Sequence, residues 1–513
     1  MFRKPLIVVL ILLLLTACAA PPPAPEPNLD WQYGVWYQIF VKSFYDSTGD
    51  GLGDIPGITA KLDYLNNGNP NQGRDLGVNG IWLTPISPSP SYHKYDVTDY
   101  YDIDPAFGTL EDFQTMVQEA HRRGVKVIID LVINHTSNQH PWFIDAVNNP
   151  HSPYRDWYIW ASPQQNLAER GEWGQQVWHN SISGYYYGTF WSGMPDLNLD
   201  NPRVREEIIN IASFWLEIGV DGFRLDAIKH IFPGQETKNR EWWAWFRQEL
   251  IKIKPNIYLV GEVWDNAHVV APFYESIDSN FNFELADRLI ESVARGRNQG
   301  IEQGIVRMHN IFSQHSPDFI DAIFLSNHDQ NRVIERLARN PDLAKRAASL
   351  LLTLPGNPFI YYGEELGMRG RKPDEHIREP MLWFIDPSTP GQTNWLTLRD
   401  NAGGVTPSVE AQMRDKESLL NHYREMIHLR RSHPALLAGG FTPRPFNADN
   451  SLVSFYRTHS QGNLLVVHNL GNETLTLELD PERDGKTLLH GTRRVKLRRG
   501  VLTLPPGSFA IIQ

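Results

Sequence analysis

Eight short apolar runs, separated by stretches long enough for a helix, constrain the fold of this chain more than any other feature. The runs are Val35–Phe40, Gly80–Pro85, Val125–Asn134, Gly219–Asp226, Ile257–Val263, Phe281–Leu285, Ala322–Asn327 and Phe359–Tyr362. Between several of them, as in Leu110–Arg123 and Val204–Ile218, apolar residues recur at helical spacing. Parallel neighbouring strands need such crossovers, so the alternation predicts an α/β fold with a closed (β/α)8 TIM barrel.

Two segments depart from this alternation. Residues 136–194 are rich in Trp, Tyr, Asn, Pro and Gly and are too long for a simple loop, so we interpret them as an inserted domain B after the third strand. Beyond a helix predicted at Leu419–Ser432, short alternating runs predict a C-terminal antiparallel β-sandwich domain over 436–513. These runs are Leu452–Tyr456, Leu464–His468, Thr474–Leu479 and Ala510–Gln513. The barrel is therefore assigned to residues 31–135 and 195–435.

The N-terminus has the layout of a secretory signal. Arg3 and Lys4 precede the apolar run Leu6–Leu15, which is too short to span a bilayer comfortably. The run leads to Cys18, the chain's single cysteine, in a pattern that resembles the bacterial lipoprotein signal, where this cysteine is lipidated. The alternative is an ordinary signal peptide with an incidental cysteine. We expect residues 1–17 to be a lipoprotein signal peptide.

The five prolines within residues 18–30 predict a stiff, extended tether after the lipidated cysteine. We therefore expect an extracytoplasmic protein that contacts the membrane through its lipid anchor only.

The overall charge limits the classes of partner. The chain carries 59 acidic and 48 basic side chains, a formal net charge of -11, and has no long Lys/Arg run. A nucleic-acid partner is not expected, because such binding depends on neutralising phosphates. A single cysteine excludes a disulfide framework. No feature of the sequence indicates a protein partner.

Polar residues cluster at the predicted strand ends, where barrels of this kind carry their working groups. The third, fourth, fifth and seventh strands end in Asp130, Asn134 and His135, in Arg224 and Asp226, in Glu262, and in His328 and Asp329, respectively. Any one of these residues taken alone is explained equally well as a helix cap or a surface charge. Together they predict that carboxylates from the fourth, fifth and seventh strands converge at one mouth of the barrel.

Two carboxyl groups at one mouth suit glycoside hydrolysis. One protonates the leaving oxygen and the other acts from the opposite side of the sugar ring. In retaining enzymes the two carboxyl groups lie roughly 5–5.5 Å apart. Asp226 is the better nucleophile, because Arg224, two residues earlier on the same strand face, favours its ionised form. Burial and nearby negative charge favour a protonated acid. His328 and Asp329 are placed to bind sugar hydroxyls.

Four short motifs carry a resemblance to a known family: Asp130–His135, Gly222–His230, Gly261–Trp264 and Phe324–Asp329. With them, the chain resembles the α-amylase family, glycoside hydrolase family 13, over nearly all of residues 31–513. The resemblance implies the catalytic roles of nucleophile, general acid/base and transition-state stabiliser for Asp226, Glu262 and Asp329, respectively. It also implies that the reacting glucose contacts His135, Arg224 and His328 and stacks on Tyr95.

The resemblance also narrows the activity. Met194–Asn198 is similar to the motif of the group between oligo-1,6-glucosidases and neopullulanases, and Lys229 and His230 favour an α-amylase, in which this pair contacts sugars beyond the cleaved bond. We expect hydrolysis of α-1,4 bonds in starch, glycogen or maltooligosaccharides. Alternatives on the same site are an oligo-1,6-glucosidase, a neopullulanase-like hydrolase and an α-glucan transglycosylase. A non-catalytic starch-binding lipoprotein is disfavoured, because all three carboxylates are present.

A calcium loop is predicted at residues 46–54. Oxygen donors at positions 1, 3, 5 and 9 and a main-chain carbonyl at position 7 belong to Asp46, Thr48, Asp50, Asp54 and Leu52. Calcium prefers six to eight oxygen ligands, and this spacing can wrap them around one ion. Position 12 is Gly57 rather than Glu, so the loop is not a complete EF-hand. The alternative is an Asp/Gly-rich turn.

The resemblance implies a second calcium site between the barrel and the inserted segment. Its ligands would be Asn134, Asp196 and the main-chain carbonyl of His230. The order of residues alone does not align ligands from the inserted segment.

Overall fold

The computed structural model describes residues 33–70, 72–447, 449–480 and 482–513. The predictions on the signal peptide, Cys18 and the Pro-rich tether lie outside these residues. Among the residues described, none of the helices has both the length and the apolar character needed to cross a membrane.

Most of the regular structure is short. The strands are β1 (Trp36–Ile39), β2 (Gly80–Leu83), β3 (Lys126–Leu131), β4 (Trp178–Ser181), β5 (Gly184–Tyr187), β6 (Gly222–Leu225), β7 (Tyr258–Gly261), β8 (Ser279–Phe281), β9 (Ile320–Phe324), β10 (Asn357–Tyr361), β11 (Gly440–Pro443), β12 (Leu452–Thr458), β13 (Leu464–Asn469), β14 (Leu475–Glu478), β15 (Leu488–Gly491), β16 (Lys496–Arg498), β17 (Val501–Leu504) and β18 (Phe509–Ile512). The α-helices are α1 (Val41–Phe44), α2 (Ile55–Ala60), α3 (Leu62–Leu65), α4 (Leu110–Arg122), α5 (Pro141–Asn148), α6 (Pro202–Ile218), α7 (Glu236–Ile253), α8 (Ala267–Val270), α9 (Phe283–Arg295), α10 (Ile301–Phe312), α11 (Val333–Arg336), α12 (Pro341–Thr353), α13 (Asp374–Ile377), α14 (Val409–Arg414), α15 (Leu419–Ser432) and α16 (Pro434–Ala438).

Eight parallel strands close into the predicted barrel. Around it they follow the order β1, β2, β3, β6, β7, β8, β9 and β10, and β10 pairs with β1 again. Trp36 closes the ring, since it pairs in register with Gly80 of β2 and Phe359 of β10. Its indole stacks on Tyr258 and Phe359 inside the barrel, with ring centres 5.0 and 5.7 Å apart. The predicted barrel is confirmed.

Local capping explains why the crossover helices begin where they do. Thr109 and Asp112 form a reciprocal capping box at the start of α4. Asn201 caps α6, whose first residue is a proline, and Ser418 caps α15. The helices predicted from apolar spacing are confirmed.

The sixth barrel strand was wrongly predicted at Phe281–Leu285. The structure has β8 at Ser279–Phe281, and α9 begins at Phe283. The Asn282 side chain accepts a hydrogen bond from the Leu285 amide and so caps this helix. Phe281 and Phe283 are both buried against the barrel interior. Their alternation with polar residues therefore mimics a strand although the chain has already turned into a helix.

Residues 136–194 form a layer beside the mouth of the barrel. They contain α5, which the sequence pattern did not predict, and the hairpin β4–β5. Phe143 of α5 packs edge-on against Tyr158 and Tyr186, with ring centres 4.9 and 4.8 Å apart. A bridge between His135 and Asp196 ties the two ends of this segment together.

The C-terminal part is an antiparallel β-sandwich, as predicted. One sheet has the order β11, β12, β13, β18, β15 and the other β14, β17, β16. Leu465, Leu477, Leu502 and Ile512 pack in the core between them. The sequence pattern did not predict β11, β15, β16 and β17.

Candidate active site

Arg224 lies at the centre of the candidate site. It is on β6, beside β3 and β7, and its side chain is fully buried. One terminal nitrogen of its guanidinium contacts Asp226 at 2.6 Å and Asp130 at 2.5 Å, and the other contacts Glu262 at 2.7 Å. Asp130 pairs directly with Arg224 in the sheet, and Glu262 follows the end of β7. Three adjacent strands therefore bring three carboxylates to one cation.

The two carboxyl groups expected to carry the reaction differ in acidity. Burial raises the pKa of Asp226 to about 6, against the opposing effect of Arg224. Burial raises the pKa of Glu262 to about 7, where the Arg224 charge also opposes the rise and the Asp226 charge adds to it. Near neutral pH, Asp226 is mostly ionised and Glu262 holds its proton more readily. This is the division between nucleophile and acid that glycoside hydrolysis requires.

The side chains of His328 and Arg378 hold the Asp329 carboxylate in place. Its carboxylate lies 3.0 Å from the His328 Nε2 atom and 2.9 Å from a terminal nitrogen of Arg378. Burial acts to raise the pKa of Asp329, but His328 and Arg378 outweigh it and hold that pKa well below its ordinary value. Arg378 also donates to the main-chain oxygen of His328 at 2.9 Å, so Asp329 remains a fixed negative charge.

Tyr95 and His135 lie on the same side of the pocket. The Tyr95 hydroxyl is 2.6 Å from His328 Nε2, and the two rings are parallel within 4°. The other ring nitrogen of His328 contacts Gln38 at 2.6 Å. His135 contacts the main-chain oxygen of Tyr95 at 3.2 Å, and burial lowers the pKa of His135 to about 4. These residues form the polar floor of the pocket.

A cavity of about 390 Å³ lies above this floor. The predicted site residues that line it are Tyr95, His135, Asp226, Lys229, His230, Glu262 and Asp329. Arg224 and His328 lie beneath and hold these groups in place. Trp264 is half-exposed on the wall and stacks on Phe283 with ring centres 4.6 Å apart, so it both packs and faces the cavity.

Several residues that line the catalytic cavity were not predicted from the sequence. The inserted segment contributes Trp173, Phe190 and Trp191, and a later loop contributes Arg378. Trp173 and Trp191 are 57% and 51% exposed, which marks them as aromatic surface available to a sugar. The abundance of Trp in residues 136–194 was the available signal. For Arg378 the sequence has no comparable pattern.

Lys229 and His230 lie at one end of the cavity. Lys229 contacts Glu172 at 2.8 Å and Asp265 at 3.2 Å. The His230 ring packs against Trp173, with centres 5.1 Å apart.

In the predicted calcium loop, the carboxylates turn towards the loop itself. Asp46 accepts hydrogen bonds from three of its own loop's amides, at 2.6 to 3.0 Å. Asp50 accepts from the Leu52 amide at 2.8 Å. Thr48 donates its own amide to Asp46. The atoms predicted to bind the metal are all oxygens, which are the ligands that calcium prefers. Among the described residues, however, no three His, Cys, Asp or Glu side chains are grouped to hold a metal ion.

Asp54 has a structural role in the same loop. Its carboxylate accepts from the Gly57 amide at 2.6 Å, which caps α2, and from the Ser47 hydroxyl at 2.8 Å. A helix cap accounts for this residue without a metal.

Two residues of the predicted second calcium site, Asn134 and Asp196, lie next to each other. Asp196 is hydrogen-bonded to the Thr189 hydroxyl and amide at 2.6 and 3.0 Å and also to the Asn134 side chain. Burial raises the pKa of Asp196 to about 7. The His230 ring packs edge-on against Phe190, with ring centres 6.1 Å apart.

A (β/α)8 barrel that gathers an ionised and a protonatable carboxyl group beneath a polar, aromatic-lined pocket defines the class of the glycoside hydrolases. The family model for the alpha-amylase catalytic domain matches residues 38–439, and that for the alpha-amylase SusG C-terminal domain matches residues 452–508. The chain belongs to the alpha-amylase family and is an enzyme of that family.

Similar proteins include alpha-amylases and a transferase. Alpha-amylase 3 of Dictyoglomus thermophilum is 44% identical over 479 residues, which cover 93% of each chain. A 4-alpha-glucanotransferase of Thermotoga neapolitana is 35% identical and matches 86% of this chain and 97% of its own. The crystal structure of the alpha-amylase from H. orenii has a TM-score of 0.88 at 48% identity, covering 94% of this chain and 99% of its own. The family resemblance stated from the motifs is confirmed.

Proposed function

We propose that this enzyme is a retaining hydrolase of α-1,4-glucosidic bonds in starch, glycogen or maltooligosaccharides. The observation that carries the proposal is the shared contact of Asp226 and Glu262 with the Arg224 guanidinium, at 2.6 and 2.7 Å. Neighbouring nitrogens of one guanidinium hold the two carboxyl groups close together, which supports the roughly 5–5.5 Å spacing of retaining enzymes over the wider inverting one.

The reaction has two steps. In the first, Asp226 attacks the anomeric carbon while Glu262 protonates the glycosidic oxygen, so the leaving glucan departs with a free hydroxyl and a glycosyl ester forms on Asp226. In the second, Glu262 takes a proton from water, the water oxygen bonds to the anomeric carbon and the ester bond breaks. Asp226 is restored as a carboxylate and Glu262 as an acid.

Asp329 and its partners serve the transition state. Positive charge develops on the sugar ring as the bond breaks, and the fixed negative charge of Asp329 beside the pocket stabilises it. His328 and Arg378 keep Asp329 in place. The Tyr95 ring supplies a flat surface for the same glucose.

Transglycosylation is the second candidate. A relative named 4-alpha-glucanotransferase is 35% identical, and Trp173, Trp191 and Trp264 offer exposed aromatic surface to an acceptor sugar. A second glucan would then replace water in the deglycosylation step on the same catalytic residues. Incubation with maltotriose separates the two outcomes, because a transferase forms longer oligosaccharides whereas a hydrolase releases maltose and glucose.

The direct test is the release of reducing sugar from soluble starch, with the anomeric form of the first product followed by NMR. Retention produces the α-anomer before mutarotation. A β-anomer as first product contradicts the retaining mechanism, and no release from starch contradicts the substrate assignment. Pullulan and isomaltose measure the share of α-1,6 cleavage, which distinguishes neopullulanase-like and oligo-1,6-glucosidase activities.

Calcium and the lipid anchor complete the proposal. The loop of residues 46–54 would hold Ca²⁺ through the oxygens of Asp46 and Asp50 and the main-chain carbonyl of Leu52. The ion would neutralise the carboxylates beside β1 and take no part in the reaction.

Lipidation at Cys18 places the enzyme on the extracytoplasmic side of a membrane, where extracellular glucans are available.

A further inference from the structure

A second cavity, of about 610 Å³, adjoins the catalytic pocket. Lys229 and His230 line both cavities. The second cavity lies between the inserted segment and the helices that follow β6 and β7. Its walls combine hydrogen-bonding and apolar groups, among them Gln175, Gln235, Asn239, Arg240, His268 and Val269. Such a mixture suits a sugar chain, whose hydroxyls need partners and whose ring faces are apolar.

An ion-pair bridge lies where the two cavities meet. The Lys229 ammonium contacts Glu172 at 2.8 Å and Asp265 at 3.2 Å. Asp265 comes three residues after Glu262 at the same strand end, and the Asn239 side chain donates to the Lys229 main-chain oxygen at 2.6 Å. Lys229 is therefore held from the barrel side by Asp265, and among the residues that the structure describes Glu172 is its ion-pair partner from the inserted segment.

The three side chains of this ion-pair bridge differ in their exposure to solvent. The Glu172 side chain is 53% exposed, against 27% for Asp265 and 15% for Lys229. An exposed ion pair changes an equilibrium by no more than about fivefold, so sugar hydroxyls can replace the Glu172 carboxylate at small cost. The His230 ring lies 3.8 Å from the same Glu172 carboxylate.

We propose that Glu172 gates the entry of long α-glucans from the catalytic pocket into the second cavity. Glu262 protonates the oxygen of the leaving group and lines the same pocket as Lys229, so the chain beyond the cleaved bond is placed towards Lys229. A long chain displaces the Glu172 carboxylate, whereas a short one leaves the bridge closed. This inference rests on the proposed retaining hydrolysis of α-glucans.

The test compares substrates of different length. For maltotriose to maltooctaose, kcat/KM is divided by kcat/KM for α-glucosyl fluoride, whose fluoride leaves without occupying the leaving-group side. Glu172→Gln removes the charge that competes with the substrate, and we expect a KM for maltooctaose about two- to fivefold lower, with little change for maltotriose. Asp265→Asn loosens Lys229 and is expected to raise the KM for maltooctaose. Asp156→Asn, an exposed carboxylate of the same segment outside both cavities, is the matched control.

A substitution in the second cavity tests the binding surface itself. His268 is exposed and lines the cavity, so His268→Trp fills space there without disturbing the core. We expect it to remove the advantage of maltooctaose over maltotriose. If Glu172→Gln and Asp265→Asn shift the length dependence in the same direction, or if His268→Trp leaves it unchanged, the inference is wrong. A wild-type enzyme that does not hydrolyse α-glucosyl fluoride contradicts the proposed function instead.

Discussion

Arg378 and Asp329 form an ion pair at 2.9 Å although 49 residues separate them in the chain. The same guanidinium donates to the main-chain oxygen of His328 at 2.9 Å and to the Tyr92 hydroxyl at 3.0 Å. Arg378 is almost completely buried. It therefore fixes the position of the Asp329 carboxylate and keeps it ionised.

Replacing Arg378 is expected to impair the chemical step. In Arg378→Ala, Asp329 loses its cation and its pKa rises, so less stabilising charge remains. We expect kcat/KM on starch to fall on the order of a hundredfold, and Arg378→Lys to recover only part of this because lysine lacks the planar fork. Asp374→Asn, which removes the charge of a carboxylate 3.4 Å from Arg378, is the control and is expected to have a much smaller effect. Equal losses for the two positions would contradict a role through Asp329.

The two catalytic carboxyl groups are expected to be separable by substrate. Asp226→Asn and Glu262→Gln each reduce starch hydrolysis below a few per cent of the wild-type rate, because one lacks the nucleophile and the other the acid. Circular dichroism and melting curves check that both variants remain folded. A rate above that level in either folded variant contradicts the assigned role.

α-Glucosyl fluoride distinguishes the roles further. Fluoride leaves without a proton, so Glu262→Gln still releases it in a burst and accumulates a glycosyl ester on Asp226. Asp226→Asn releases none. Mass spectrometry of digested Glu262→Gln locates the ester, and an ester on any other residue contradicts Asp226 as nucleophile.

The pH dependence of the reaction follows from the two raised pKa values. The active form needs Asp226 ionised, which occurs above its pKa of about 6, and Glu262 protonated, which holds below its pKa of about 7. We expect kcat/KM to rise through pH 6, to peak between 6 and 7 and to fall above 7. In Glu262→Gln, fluoride release from α-glucosyl fluoride should lose the alkaline limb alone. A profile that is flat from pH 5 to 8 would contradict the assignment.

The barrel and its catalytic centre could be predicted because their signals are local in sequence. Arg224 and Asp226 lie two residues apart on one strand, and Glu262 directly follows an apolar run. Parallel strand ends meet at one mouth, so these local patterns also imply proximity. The pairing of Arg224 with Asp130 then follows from the strand register.

Other parts of the site depend on the path of irregular segments. Arg378 follows the four-residue helix α13, and Glu172 lies in the inserted segment with no regular structure around it, so no periodicity aligns either with its partner. The sixth strand was misplaced for a different reason. Phe281 and Phe283 face the same core although a helix cap lies between them, and burial alone does not distinguish strand from helix.

Lipid attachment is expected at Cys18. Cys18→Ser removes the only thiol in the chain, so the protein should leave the membrane fraction or remain unprocessed. The measurement is fractionation of expressing cells followed by immunoblotting, with metabolic labelling by a fatty-acid analogue. Cys18→Ala is the second variant, since it removes any hydroxyl that could substitute. Unchanged membrane association and labelling in both variants would place the anchor elsewhere.

Calcium is expected to stabilise the fold through the loop of residues 46–54. The three carboxylates of Asp46, Asp50 and Asp54 within nine residues repel one another, and a bound cation offsets this repulsion. An ion that binds only the folded state adds about 2.7 kcal/mol at a free concentration a hundredfold above its Kd. Chelation should therefore lower Tm by a few degrees, and added calcium should restore it.

Two substitutions separate the ion from the structure of the loop. Within the described part of the chain, the hydrogen bond that the Asp50 carboxylate makes is to the Leu52 amide, so Asp50→Ala should mainly abolish the response of Tm to calcium and chelator. Asp54 caps α2, so Asp54→Ala should lower Tm by a similar amount with and without calcium, at a cost of about 1 kcal/mol. Because the loop follows β1 and holds no catalytic group, kcat should change little in either variant at a temperature where both are folded. A wild-type melting curve indifferent to chelator and calcium, with no ion found by elemental analysis, would show that the oxygen donors of this loop serve only its own amides.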